Sequence, residues 1–267
     1  VLFRSNILVS EGIILIYSNY IDGGLIPMAL ALEEMGFVRH GHPGLFKTNS
    51  SQPLNVHTMK PAKNLRHERI AKYTMITGDI RLSPNNSKDV SALTAENNIH
   101  GEQIKVVLIS QAGSEGIDFK YIRQIHVLEP WFNINRIEQI IGRGVRYFSH
   151  KSLPFEKRNV QIFLHATILE HNKQEESVDL YLYRLNELKA NKIGNVTRIL
   201  KENAIDCYLN QEQSNFTEER FKDQHVEQQL SDGTITNKFH VGDKPYSSAC
   251  DYMKTCKYEC KIGRAHV

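Results

Sequence analysis

The stretch Gln139-Ile140-Ile141-Gly142-Arg143-Gly144-Val145-Arg146 decides how the rest of this 267-residue chain is interpreted. Its two arginines lie three residues apart, near the start of a helix that we expect to begin at Asn133 or Asn135. This spacing places both guanidinium groups on one helical face. Guanidinium is planar, permanently charged and able to hold phosphate oxygens through paired hydrogen bonds. The stretch therefore predicts a phosphate-binding helix face.

A glycine-rich turn precedes this helix in the chain. The segment Ser110-Gln111-Ala112-Gly113-Ser114-Glu115-Gly116-Ile117-Asp118-Phe119 follows an apolar strand and carries a carboxylate near its end. Glycine allows a tight bend and a close approach of the backbone to a phosphate. In this order and at this spacing, the turn and the arginine helix closely resemble motifs V and VI of superfamily 2 helicases and DNA translocases.

The resemblance implies that ATP, with Mg²⁺ held mainly by a first lobe, binds between two RecA-like lobes, of which this chain supplies the second. Arg143 and Arg146 are then arginine fingers for the γ-phosphate, and Arg146 is the stronger candidate for direct contact. The other positions assigned to the nucleotide side are Gly116, Asp118, Gln139 and Gly142. The alternative is a pair of exposed arginines on a surface helix. The complete set of matching positions favours the finger interpretation.

The resemblance also implies a nucleic-acid side. Ser110 and Gly113 are expected to face the nucleic-acid backbone, and Ser18 lies where motif IV makes a contact. Thr77 and Gly78 end another strand and offer a hydroxyl and a backbone N–H. Such groups hold sugar and phosphate without reading bases, as sequence-independent movement requires. For Ser18, Thr77 and Gly78, a simple strand-end turn is an equally good interpretation.

The chain outside these motifs predicts an α/β fold, a RecA-like parallel sheet with flanking helices over residues 6–169. Apolar runs typical of doubly buried strands occur at residues 12–18 and 104–109, and further strands are expected at 72–80, 122–128 and 159–164. Helices are expected at residues 25–35, stopping at Gly36, and at 87–98, with Ser87 as N-cap. Residues 39–70 lack periodicity and predict an insertion or a mobile loop.

The region after residue 169 has a different pattern and predicts a mainly helical extension and linker over residues 170–240. Helical periodicity runs over residues 178–209 with an interruption at Gly194, and residues 211–240 favour a linker or an exposed helix. Residues 241–261 form a truncated Cys- and Tyr-rich module. Cys250, Cys256 and Cys260 are a weak zinc candidate, because their spacing matches no strong pattern. Four cysteines do not predict a disulfide framework, so a reducing compartment is expected.

Both ends of the chain match translated sequencing adapter. Residues 1–5 are encoded by GTGCTCTTCCGATCT and residues 262–267 by ATCGGAAGAGCACACGTC, which are the two sides of one adapter. We therefore expect an internal fragment of a longer reading frame. Without Arg4 and Arg264, the net charge of +3 falls to +1, which argues against a strongly basic nucleic-acid tail. No apolar run has the length of a membrane span, so no membrane partner is expected.

A P-loop, Gly-x-x-x-x-Gly-Lys-[Ser/Thr], does not occur in the sequence, nor does an Asp-Glu box. We therefore expect this chain alone to be inactive in ATP hydrolysis. The longer match, residues 116–131 followed by 149–154, resembles helicase-like proteins of large nucleocytoplasmic DNA viruses. That group is related to the poxvirus early transcription factor small subunit and nucleoside triphosphatase I.

This second resemblance implies a motor that acts on DNA in viral early transcription, with a viral RNA polymerase or transcription factor subunit as partner. It also implies an intracellular location, in the host cytoplasm or the virion. Two alternatives stay open. One is a non-catalytic module that binds DNA or a polymerase, and the other is a chromatin translocase lobe of the Swi/Snf type.

Overall fold

The computed structural model describes residues 2–48, 51–111, 116–169, 175–217, 219–223, 225–229 and 234–261. The chain divides into two compact units. The first comprises residues 1–130 and 135–179, and the second comprises residues 131–134 and 180–267. Among the described residues, no helix combines the length and the apolar content needed to cross a bilayer.

The first unit is built on a parallel sheet of six strands. They are Ile13–Tyr17 (β1), Val38–Arg39 (β2), Lys72–Ile76 (β3), Val106–Ile109 (β4), Ile122–Val127 (β5) and Gln161–Leu164 (β6). Their order is β2-β3-β4-β1-β5-β6, and all neighbours run parallel. Every residue of the central strand β1 is buried, because apolar side chains cover both sheet faces. The predicted α/β class and parallel sheet are confirmed.

Four helices flank the sheet: Leu2–Val9 (α1), Ile26–Glu34 (α2), Asn86–Thr94 (α3) and Ile134–Gly144 (α4). The predicted stop after α2 is confirmed, because Gly36 has φ +99° and its N–H donates to the Glu33 carbonyl at 2.9 Å. The predicted Ser87 N-cap is wrong, since α3 already begins at Asn86. This helix ends at Thr94 because the next residue, Ala95, has an extended backbone.

The segment between β2 and β3 packs onto the first unit. Leu54, Val56 and Met59 are buried in the core beside α2. The Glu33 carboxylate accepts hydrogen bonds from the N–H groups of Leu45 and Phe46 at 2.7 and 2.9 Å. These contacts favour an inserted, packed segment over a mobile loop.

The second unit contains Val178–Asn203 (α5, which begins two residues before the unit), Cys207–Ser214 (α6), and the antiparallel strands His225–Gln229 (β7) and Ile235–His240 (β8). The predicted interruption at Gly194 is wrong, because α5 continues through it. The prediction of a linker or an exposed helix over residues 211–240 is also wrong for the second half of this range, where β7 and β8 pair. Their polar side chains show little strand-like alternation, so the sequence carries a weak strand signal.

Candidate functional site

Helix α4 carries the arginine stretch along the sheet. Ile137 and Ile140 are buried on its inner side, while Gln139 and Gly142 are exposed to solvent. The helix begins at Ile134, as predicted. Near its end it approaches β5 so closely that a Cβ on Gly144 would lie 2.8 Å from the Ile125 side chain. Glycine at this position therefore lets the helix lie flat on the strand.

The arginines occupy the end of α4, which corrects the expectation that they lie near its start. Arg143 is in the last turn of the helix, and Arg146 lies beyond Gly144, in a turn closed by the Ser149 N–H donating to the Arg146 carbonyl at 3.1 Å. The reason is that the helix ends at Gly144, where it lies against β5, so Arg146 follows the helix. The two side chains reach the same loop from different local structures.

That loop is the segment between β4 and β5. Arg146 Nη1 donates to Asp118 Oδ1, and Arg143 Nη1 donates to the Ile117 carbonyl at 3.5 Å. Gly116, at the start of this segment, has φ +74°, a conformation that glycine adopts readily. The structure therefore brings four of the six predicted nucleotide-side positions together, at the edge where β5 begins. The other two, Gln139 and Gly142, lie on the exposed side of α4.

The arginine–aspartate pair is open to solvent. The side chains of Arg146 and Asp118 are 48% and 61% exposed. An exposed ion pair contributes only about 0–1 kcal/mol to stability. Arg146 can therefore exchange the Asp118 carboxylate for phosphate oxygens at little cost, which is what a transition-state contact requires.

The predicted nucleic-acid residues lie at the opposite edge, where the parallel strands end. Ser18, Thr77 and Ser110 follow β1, β3 and β4 directly, and all three are buried. Gly78 is exposed, and Gly113 lies outside the described residues. Among the described residues, these four strand-end positions are thus separated from the four nucleotide-side positions that meet at the edge where β5 begins.

Internal partners occupy the hydroxyl groups of Ser18 and Thr77. Ser18 Oγ lies 3.0 Å from both Glu129 Oε1 and the Tyr20 carbonyl. Burial raises the pKa of Glu129 above its ordinary value. Thr77 Oγ1 is hydrogen-bonded to Ser83 Oγ at 2.9 Å. For Ser18 and Thr77, these bonds favour the alternative interpretation, a strand-end turn.

An open cleft of ≈ 550 Å³ lies beside Thr77, at the N-terminus of α3. Gly78, Asn86 and Lys88 line it, and Asn86 Oδ1 is buried without a hydrogen-bond partner. The first N–H groups of a helix and a lysine together favour an anion. Sequence reasoning missed Asn86 and Lys88. The run Pro84-Asn85-Asn86-Ser87 before α3, with its helix-start residues, was the available signal.

The weak zinc candidate is wrong in this structure. Cys250 is joined to Cys256 and Cys260 to Cys207, with Cα–Cα distances of 4.6 and 5.8 Å. A disulfide sulfur is not a thiolate and cannot serve as a zinc ligand. No group of three potential metal ligands occurs among the described residues. The expectation of no disulfides is equally wrong, because the pairing depends on folding and not on spacing.

Comparison with known proteins finds similarities that centre on the first unit. Residues 29–148 match the family described as the helicase conserved C-terminal domain. The termination factor NPH-I homolog of African swine fever virus (isolate Pig/Kenya/KEN-50/1950) is 32% identical over 78% of this chain and 32% of its own length. The helicase-like protein 087L of Invertebrate iridescent virus 3 is 30% identical over 92% of this chain and 21% of its own length.

Among solved structures, the C-terminal part of the Fun30 ATPase domain is similar to this chain, with a TM-score of 0.44 and 12% sequence identity. The similarity covers 69% of this chain and 44% of the Fun30 chain. The chain spans about a third or less of the length of the viral relatives.

Proposed function

We propose, from the match of residues 29–148 to the helicase conserved C-terminal domain, that this chain is the second motor lobe of a nucleic-acid-dependent ATPase. The full-length protein translocates on DNA, and ATP binds where Arg143 and Arg146 project. The observation that carries the proposal is the exposed contact of Arg146 with Asp118. Asp118 holds the Arg146 guanidinium in place, and because the pair is exposed, an incoming phosphate can displace the carboxylate.

In this proposal the two arginines act on the charge that develops during phosphoryl transfer. Arg146 leaves Asp118 and contacts the γ-phosphate, while Arg143, beside the Ile117 carbonyl, supports the same oxygens. Asp118 then orients the released guanidinium or contacts the ribose. The sequence has no P-loop, so ATP phosphates and Mg²⁺ are held mainly by another part of the full-length protein. The chain alone does not hydrolyse ATP.

The nucleic acid lies at the other edge of the sheet. Gly78 offers an exposed backbone N–H beside the cleft, and Lys88 adds a positive charge at the start of α3. These groups contact phosphates and carry no sequence information. Ser18 and Ser110 belong to the same edge in this proposal, and Ser18 shapes the turn through its internal bonds.

We place the motor in viral transcription, in the host cytoplasm or the virion. The relative from African swine fever virus is named as a homolog of a termination factor, which supports a role beside a viral RNA polymerase. We also propose an early-transcription role, with a polymerase or transcription factor subunit as partner, on the resemblance of residues 116–131 and 149–154 to viral helicase-like proteins.

The test is DNA-stimulated ATP hydrolysis by the full-length protein carrying Arg146→Ala. Loss of one arginine finger lowers the rate by roughly 10³–10⁵-fold in related phosphoryl transfer, and we expect a fall of that order. The matched control is Arg220→Ala, at an arginine of the second unit that is also partly exposed. DNA binding by the Arg146 variant should persist, which distinguishes a lost finger from misfolding. An unchanged rate would exclude Arg146 as a finger, whereas no DNA-stimulated hydrolysis by the unaltered full-length protein would favour a non-catalytic binding module.

A further inference from the structure

The net positive charge of the chain is concentrated in one short segment. Residues 57–69, which we call the basic loop, contain four Lys or Arg residues and a single acid, Glu68, for a net charge of +3. The net charge of the whole chain is also +3, so all other residues together balance to zero. Such a concentration on one loop creates a local field that the bulk composition conceals.

Two turns capped by asparagine give the basic loop its shape. Asn55 Oδ1 accepts hydrogen bonds from the N–H groups of His57 and Thr58 at 2.9 and 3.1 Å. Asn64 Oδ1 accepts one from the Arg66 N–H at 3.1 Å. Side-chain caps of this kind fix turns locally. The buried side chain of Met59 anchors the first turn in the core. The cations of the loop are therefore presented from an ordered backbone.

The negative charges near the loop are already engaged. Glu68 Oε1 accepts from the N–H groups of Lys63 and Asn64 at 3.0 Å each, and Oε2 accepts from Asn55 Nδ2 at 2.8 Å. These hydrogen bonds, that of Asn55 foremost, lower the pKa of Glu68. Glu102 forms an ion pair with Arg69. Glu68 thus serves the backbone of the loop and leaves its outer surface cationic.

Three cations on that outer surface make no direct polar side-chain contact with another described residue, although the charge of Lys63 contributes to the lowered pKa of Glu68. Lys60, Lys63 and Arg66 are exposed, and their side chains make no hydrogen bond or ion pair with any residue in the described part of the chain. They recur every third residue and have no aromatic neighbour within the loop. Cations without a stacking partner suit phosphates better than bases.

We infer that the basic loop is a second nucleic-acid contact, which binds the phosphate backbone of a duplex or a single strand without reading bases. Its base is attached where β2 begins, through the Leu54 N–H donating to the Gly36 carbonyl at 2.9 Å. This is the opposite edge from Thr77 and Gly78, so the loop holds a different segment of nucleic acid. This inference rests on the proposed function in one respect, because the proposed function identifies the bound polyanion as a nucleic acid.

The first test compares two matched double variants of the 267-residue chain, without ATP. They are Lys60→Gln/Lys63→Gln and, as a control at exposed lysines of the second unit, Lys192→Gln/Lys222→Gln. Binding of a fluorescent 30-base-pair DNA duplex and of a single-stranded RNA is measured across salt concentrations. Each lost phosphate contact lowers the salt slope by about 1. We expect a decrease of about 2 for the loop variant and none for the control, and the probe with the larger change identifies the source of the phosphates.

Lysine acetylation of the unaltered chain localises the contact independently of any variant. Bound nucleic acid should protect Lys60 and Lys63 from an acetylating reagent and leave Lys192 and Lys222 reactive. Equal slopes for the two variants on both probes, absence of protection, or no measurable binding by the unaltered chain would each overturn the inference. Loss of binding only in Lys88→Gln would overturn it as well, while leaving the proposed function intact.

Discussion

At the scale of single residues, exposure separates side chains that can change partner from those that cannot. Arg146 and Asp118 form an exposed pair, whereas Ser18 is fully buried and already hydrogen-bonded to Glu129. An exposed pair is rearranged at little cost, but a buried hydroxyl leaves its partner unsatisfied when it turns away. The guanidinium of Arg146 is therefore more accessible to a ligand than the hydroxyl of Ser18.

His126 predicts how stability depends on pH. Its ring is fully buried, with Nδ1 2.9 Å from His165 Nε2, and burial lowers the pKa of His126 to about 3. In the unfolded chain a histidine has a pKa of about 6.5. The unfolded state thus binds the proton first, and stability falls as the pH decreases from about 6.5 toward 3. Urea unfolding should show a loss of about 2 kcal/mol between pH 7 and pH 5 from this group, at about 1.4 kcal/mol per unit.

Two variants isolate this contribution. His126→Asn should remove this share and make the pH dependence shallower, even though the variant is less stable at pH 7. His150 and His165, whose pKa values burial also lowers, keep their own shares. His67→Asn, at an exposed histidine, should retain the full dependence. The same slope in His126→Asn and the unaltered chain would show that another group is responsible.

At the scale of elements, close backbone approach decides how helices are placed. Helix α5 passes so near residue 251 that a Cβ on Gly194 would lie 1.8 Å from the Asp251 carbonyl oxygen. On the next turn, the buried Arg198 donates to the Asp251 carboxylate at 2.8 Å and to the Cys250 carbonyl at 3.2 Å. Gly194, which the sequence suggested as a helix break, is therefore the residue that allows α5 to pass this close to Asp251.

Gly194→Ala should therefore destabilise the second unit. Alanine favours a helix over glycine by about 1 kcal/mol, but the clash with the Asp251 backbone forces a shift that typically costs about 1–3 kcal/mol. The measurement is the urea midpoint followed by Trp131 fluorescence, because the only tryptophan of the chain belongs to this unit.

Gly142→Ala is the matched control, in a helix where a Cβ would meet nothing within 4 Å. Its first-unit stability, followed by amide exchange, should be unchanged or higher. A stabilising effect at Gly194 would mean that the approach of α5 to Asp251 is looser than the structure has it.

Most strands and helices of the first unit were predictable because their signal is local, whereas α1 and the two-residue β2 were not predicted. The run from Ile13 to Tyr17 is apolar without interruption and forms the buried central strand. The spacing of Arg143 and Arg146 also indicated that they act together, but it did not show that the helix ends between them. That end depends on the contact of Gly144 with β5, which only the folded chain contains.

At the scale of the whole molecule, the two units differ in how they are held together. The first has a parallel sheet with apolar clusters on its faces and contains no cysteine. The second contains all four cysteines, joined as Cys207–Cys260 and Cys250–Cys256. The pairing of residues 53 apart was not predictable from their spacing, because it depends on where α6 and the chain end meet. Reduction should consequently affect the units unequally.

Removal of each disulfide tests this difference between the units, and the length of the loop that each disulfide closes gives the expected loss of stability. In the chain-entropy description, closing a loop of 53 residues stabilises by about 4 kcal/mol and a loop of six by about 2 kcal/mol. Cys207→Ser/Cys260→Ser should therefore lower the urea midpoint reported by Trp131 fluorescence more than Cys250→Ser/Cys256→Ser does. Amide exchange of β1 in the first unit should be unaffected by either variant or by a reductant. An equal loss in both pairs would mean that local strain or packing, and not loop closure, sets the contribution of these disulfides, and faster exchange in β1 would show that the first unit depends on them.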